Sequence, residues 1–218
     1  MLLTENPWSK IALSKESREM ARIYSQADQL IPPHLVGLHS VTHDQFEELC
    51  RDYPDLRLEL TSSGELIVMP PTSTLTGKRC SSLNYHVADW ARKDGTGIAF
   101  GPTAGYTLPN GAIRSPDASW MTREKWDSLN QFERDRFAHV CPDFAIELRS
   151  PSDRLPTLIN KMEEYIENGA SLGWLVDPKK RRVYVFKAGE EMVVLENPTV
   201  VSGEPLLRGF ELQMEEIW

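Results

Sequence analysis

The 218-residue sequence predicts a mixed α/β protein: a central mixed β-sheet flanked by helices, preceded by an N-terminal helical extension and closed by C-terminal β-hairpins. Three neighbouring stretches carry this expectation. Around Phe144–Leu148 the chain alternates with period two, sending Phe144, Ile146 and Leu148 to one side and Asp143, Ala145, Glu147 and Arg149 to the other. After Pro151 the spacing turns helical, with Leu155, Leu158, Ile159, Met162, Tyr165 and Ile166 recurring at threes and fours. The apolar run "LGWLV" follows, as in a strand covered on both faces. Strand, helix and strand in that order are the unit from which a sheet with helices packed on it is built.

The remaining elements follow in chain order. Residues 1–40 read as an extension with a charged helical stretch near residues 14–30, ended by Pro32-Pro33, and residues 41–218 as the main domain. Thr42 with Gln45 three positions later makes a capping box for a short helix whose apolar side is Phe46, Leu49 and Cys50. "LRLELTSSGELIVMPP" reads as two strands joined through Ser62-Ser63-Gly64. A longer helix is expected over residues 76–93, because Cys80, Leu83, Val87, Trp90 and Ala91 share a face and Gly95 can end it. "GIAFGPTAGYTLPNGAIRSPDASWM" holds strand pieces broken by Gly101-Pro102, Pro109-Asn110-Gly111 and Ser115-Pro116. An exposed helix is expected over residues 122–136. Hairpins around "DPKKRRVYVF" and "EEMVVLE" are expected to finish the chain.

Composition narrows the function. At 40% hydrophobic content, with six Trp, six Tyr and seven Phe, the chain can bury a full core. A net charge of −8 argues against a permanently basic nucleic-acid surface, but not against a cleft whose charge comes from a bound cation. Three cysteines without metal spacing read as free thiols in a reducing compartment. No apolar run is long enough for a signal peptide or a membrane span, so a soluble cytoplasmic protein with no membrane partner is expected.

The chemistry concentrates around Glu147. A strand ending near Ser150 puts Glu147 roughly 10 Å back along it. A helix beginning between Asp153 and Pro156 puts Lys161 roughly 8 Å along its return. The two come level, so a carboxylate and an ammonium meet between helix and sheet. A second acid, Asp117, stands in "RSPDASW", where Pro116 marks an edge or bend. Two converging carboxylates repel unless a cation joins them. Mg²⁺, which takes oxygen ligands, keeps waters and is held by one or two carboxylates plus substrate phosphate, is the natural ion. It would polarise a phosphoryl oxygen and acidify a bound water, while the lysine orients that water or neutralises charge growing on phosphorus.

The order Asp117, then Glu147-Leu148-Arg149, then Lys161 from the following helix resembles the PD-(D/E)XK nuclease superfamily. More closely, "GELIVMPPT", "GYTLPNGAIRSPDASW", "CPDFAIELRSPSDRL", "KMEEYIENGASLGWLVDP" and "SGEPLLRGFELQMEEIW" resemble the family of putative restriction endonucleases with the Uma-type domain, over residues 56–218. The resemblance implies a restriction-endonuclease-like core and a metal-dependent phosphodiesterase. Asp117 and Glu147 would be the Mg²⁺ or Mn²⁺ ligands, Lys161 the displaced lysine, Glu59 an auxiliary acid, and DNA the substrate of a homodimer. The chain departs from the pattern twice. Arg149 stands where the signature has a lysine, and arginine can clamp a phosphate but cannot act as a base. Leu75 stands before the "TG" of the long helix, where relatives carry Glu or His.

Plainer readings compete. Glu147 could face solvent, Asp117 could be a turn acid, Lys161 could snorkel from an apolar face, and Arg149 could simply pair with Glu147. Asp143 reads as a strand-end residue and Asp153 as a helix cap. His34, His39 and His43 lack zincin spacing and read as surface residues. Trp174 and Tyr165 read as core. No GxxxxGK loop, GxSxG elbow or Cys/His pairing is present in the sequence. The sequence therefore points to a metal-dependent endonuclease. The rivals are a catalytically weakened nuclease fold serving as a DNA-binding or assembly module, and a hydrolase of another phosphate ester.

Overall fold

The computed structural model describes residue 32 and residues 35–218; the helical stretch expected over residues 14–30, Pro33 and His34 lie outside the described residues. The described chain divides into two compact units. The first comprises the residues up to Pro71 together with Asn110–Arg114, and the second Thr72–Pro109 with Ser115–Trp218.

In the first unit, helix α1 (His43–Asp52) opens with the capping box expected of Thr42 and Gln45 and buries Phe46 and Leu49. Strands β1 (Arg57–Leu60) and β2 (Leu66–Met69) form the expected antiparallel hairpin. The short strand β5 (Ile113–Arg114) pairs with β1 through Leu60 and Ile113. His43 Nε2 lies 2.8 Å from the Gly111 carbonyl oxygen, a local contact rather than a metal site.

The second unit is built on a six-stranded mixed sheet. Its strands are β3 (Gly97–Phe100), β6 (Ala118–Thr122), β7 (Phe144–Leu148), β8 (Leu172–Asp177), β9 (Arg182–Lys187) and β10 (Val193–Glu196), in the order β10-β9-β8-β7-β6-β3. Only the β7–β8 pair is parallel, and it is the pair joined through a helix, as a parallel connection requires. β4 (Tyr106–Thr107) is a two-residue strand outside this sheet.

Period-two alternation sorts the two faces. Ala118, Trp120, Phe144, Ile146, Leu148, Leu172, Trp174, Val176 and Val183 point to one side. Helix α2 (Thr74–Asp94) covers them with Leu83, Val87 and Ala91, and it ends at Gly95, whose φ of 76° is the left-handed cap that glycine adopts without strain.

The chain end completes this core, which the sequence alone did not indicate. Beyond β10, β11 (Val200–Ser202) and β12 (Glu211–Gln213) pair, and Val201, Leu207, Phe210, Leu212, Met214 and Ile217 pack into the same cluster. Phe210 stacks on Trp174 with centroids 5.8 Å apart.

On the opposite face lies α5 (Leu155–Glu167), with Met162 and Tyr165 fully buried. Met162 packs over Gly173 of β8, where a Cβ would come within 2.5 Å of Met162 Cε. The helix expected over residues 122–136 is instead two short ones, α3 (Arg123–Ser128) and α4 (Gln131–Arg134). Leu129 turns extended and buried between them, and Asn130 and Glu133 make a second capping box that restarts the helix. Among the described residues, no helix is long and apolar enough to cross a membrane.

Candidate active site

Two of the expected site residues, Glu147 and Lys161, meet between β7 and α5, and a third, Asp117, is fastened to the backbone of β7. Glu147 belongs to the α5-facing side of its strand and is only 5% exposed. Lys161 Nζ lies 2.8 Å from Glu147 Oε1, and the two side chains are 11% and 7% exposed. The Tyr165 hydroxyl donates to the same oxygen at 3.0 Å. Lys161 and Tyr165 are four apart and so share one face of α5, and the ammonium stands 5.9 Å from the tyrosine ring centroid. The lysine against an apolar helix face and the carboxylate within an apolar strand thus explain each other.

Asp117 arrives from the neighbouring strand. The antiparallel ladder of β6 and β7 ends at the pair Ala118 and Ile146, so Asp117 comes one residue before β6 and Glu147 one residue after Ile146. Asp117 Oδ2 accepts the Leu148 backbone N–H at 2.9 Å, which fastens the aspartate to the strand carrying Glu147. Its backbone carbonyl accepts from Asn84 Nδ2 at 2.8 Å, anchoring the residue to α2 as well. Pro116, just before it, marks the point where the ladder stops.

Arg149 and Glu59 each form an ion pair of their own. The parallel register pairs Leu148 with Val176, which sets Arg149 beside Asp177 at the ends of β7 and β8. Arg149 Nη1 donates to Asp177 Oδ2 at 2.5 Å, and its Nε and Nη2 both donate to the Asp153 carbonyl. Glu59, in the first unit, is buried and forms an ion pair with Arg114 at 3.3 Å.

Asp153 does not cap α5, contrary to expectation. Its Oδ2 accepts the Ser150 N–H at 2.7 Å and closes the turn before the helix, whose N-cap is Arg154. Asp143 accepts from Lys125 Nζ at 2.6 Å and from the Thr122 N–H. Leu75 is exposed.

The donor set is two carboxylates; the Cys80 thiol lies 3.8 Å from the Asp117 backbone carbonyl rather than among the carboxylate oxygens. That chemistry fits Mg²⁺ or Mn²⁺, which prefer hard oxygens and need few protein ligands because they retain water. Among the described residues no three His, Cys, Asp or Glu side chains gather into a larger metal cluster. Two of the three thiols are poor alternatives for nucleophilic chemistry. Burial pushes Cys141 up to about 12 and Cys50 up to about 11, so both stay protonated at neutral pH. A surface groove of about 470 Å³ bounded by Arg181, Pro198 and Trp218 contains none of the candidate residues.

Comparison with known proteins identifies the class. The family described as "putative restriction endonuclease", Uma2, matches residues 43–215, and the chain belongs to it. Its function is accordingly nuclease-like. Among solved structures, the chain is similar to a putative nuclease belonging to DUF820 from Anabaena variabilis ATCC 29413. The identity is 21% and the TM-score 0.66, with 81% of this chain and 97% of that one covered. That likeness establishes a shared fold. No curated protein matches the chain.

The sequence reading took Tyr165 as core alone and missed the contact of its hydroxyl with Glu147. The available signal was its position four after Lys161, which places both on one helix face.

Proposed function

We propose that this chain is a divalent-metal-dependent nuclease that hydrolyses phosphodiester bonds in DNA. The observation that carries the reading is Glu147. It is a buried strand carboxylate held by Lys161 and Tyr165, and Asp117 is fastened to the same strand through the Leu148 N–H. A buried ion pair is a weak source of net stability, because desolvating both charges offsets most of their attraction. Such a pair beside a second acid makes better sense as prepared chemistry, and the family supplies the reaction class.

In this reading Asp117 and Glu147 would hold Mg²⁺ or Mn²⁺. The ion supplies Lewis-acid polarisation of the scissile phosphate and a more acidic water. Asp117 is oriented by the Leu148 amide and by its anchorage to Asn84. Lys161 holds Glu147 in place and keeps a positive charge where negative charge grows on the phosphate. Arg149, tied to Asp177 and Asp153, serves as a brace between strand ends, which leaves Lys161 as the cation of the site. The family's description as a putative restriction endonuclease supports DNA as the substrate, and a net charge of −8 would make the bound cation the means by which a polyanion is accepted. A cytoplasmic homodimer remains part of the proposal.

The test is cleavage of supercoiled and linear plasmid with Mg²⁺ or Mn²⁺ by purified wild type, Asp117→Asn and Glu147→Gln. Both variants are expected to fold and to lose metal-dependent cleavage. Wild-type cleavage by either, with contaminating nuclease excluded, would remove that residue from the site.

A further inference from the structure

We propose that Tyr165 is a positioning residue for Glu147: its hydroxyl, together with Lys161, fixes the carboxylate in the orientation that receives the divalent cation. The inference rests on the metal-dependent reading above and goes beyond it by assigning a residue outside the Asp117, Glu147 and Lys161 set.

The argument begins with the hydroxyl itself. Tyr165 is fully buried, and phenylalanine would fill nearly the same volume without the cost of burying an O–H. The hydroxyl donates to Glu147 Oε1 at 3.0 Å, the oxygen that Lys161 approaches at 2.8 Å. One donor leaves a carboxylate able to turn about its terminal torsion, which is broad in glutamate. Two donors converging on one oxygen restrict that rotation and so fix the direction of the other oxygen.

Both donors come from a single rigid element. They are one helical turn apart on α5, and α5 is seated on β8 where Met162 meets Gly173. The depth of the helix on the sheet therefore sets both contacts at once. Hydrogen bonds of this kind to a ligating carboxylate commonly change metal affinity about 10–100-fold.

The experiment measures Mn²⁺ binding directly, by electron paramagnetic resonance of free Mn²⁺ in equilibrium with the full-length protein, without reference to cleavage. Tyr165→Phe is expected to melt close to wild type and to bind Mn²⁺ about 10-fold more weakly or worse. p-Aminophenylalanine at position 165, which restores a donor at similar reach, is expected to regain most of that affinity. A merely structural hydroxyl would move the melting temperature and leave the affinity of the folded protein unchanged.

Glu147→Gln separates the two levels of the claim. If it binds Mn²⁺ as wild type does, the metal assignment falls and the Tyr165 proposal falls with it. If Glu147→Gln loses Mn²⁺ while Tyr165→Phe retains wild-type affinity, only the Tyr165 proposal is overturned. Should Tyr165→Phe fail to fold, the p-aminophenylalanine protein decides: weak Mn²⁺ binding by that folded protein overturns the proposal.

Discussion

Removing one partner of the Glu147–Lys161 pair leaves the other's charge where water scarcely reaches, since the two side chains are 7% and 11% exposed. Glu147→Gln and Lys161→Met are each expected to destabilise the metal-free protein by about 3–5 kcal/mol, the usual cost of breaking a buried pair. The double variant should lose less than the sum, with a coupling of roughly 0.5–3 kcal/mol, because no unpaired charge is left behind. Urea unfolding of the four proteins measures this, and strictly additive losses would show that the pair is not coupled. The meeting of these residues was legible in the sequence. A period of two assigned Glu147 to one side of its strand, and helical spacing set Lys161 at the border of an apolar face. Tyr165 was harder to read. Its ring is core, as its place in the apolar series indicates, but the partner of its hydroxyl depends on how closely α5 approaches the sheet. That approach depends on packing between two elements, as where Met162 lies over Gly173.

At the scale of elements, Arg149 ties the end of β7 to the end of β8 and to the turn that launches α5. Its partner Asp177 is 1% exposed and also accepts the Lys180 N–H, so it is a buried anion whose guanidinium matters. Arg149→Ala is expected to cost about 3 kcal/mol by stranding that charge. Arg149→Lys keeps the charge but gives up the fork that reaches the Asp153 carbonyl, a loss of about 1 kcal/mol. Turnover per folded molecule of Arg149→Lys is expected to match wild type, measured as cleavage rate beside a urea titration. An Arg149→Lys protein as stable as wild type yet inactive would instead put the guanidinium on substrate. The sequence pointed to Arg149 as a charge near the site; its actual neighbour was set by parallel pairing with a strand more than twenty residues downstream. Local chemistry misled in another way at residues 122–136. Helical periodicity spans that segment, but the caps at Thr122 and Asn130 and the burial of Leu129 divide it. The C-terminal segment has weak periodicity, and its apolar residues are explained only by the sheet face they cover.

For the whole molecule, gathering two carboxylates in a protein of net charge −8 has a consequence for stability. In the proposed site, Asp117 and Glu147 would repel without metal, and Lys161 would offset only part of that repulsion. Asp117→Asn keeps an oxygen that can accept the Leu148 N–H while removing the repulsion. The metal-free variant is therefore expected to be as stable as wild type or slightly more so, against the usual direction for substitutions. Metal reverses the order. A ligand that binds only the folded state at a hundredfold excess over its Kd adds about 2.7 kcal/mol. In a chain of this size that raises the melting temperature by roughly 5–10 °C. Asp117→Asn should lose most of this gain, because one of the two proposed ligands is gone. Thermal melts of both proteins in EDTA and across Mg²⁺ and Mn²⁺ titrations test the ordering. If Asp117→Asn melts well below wild type in EDTA and still shows the full metal increment, Asp117 is a structural acceptor for Leu148. The metal would then be held without it.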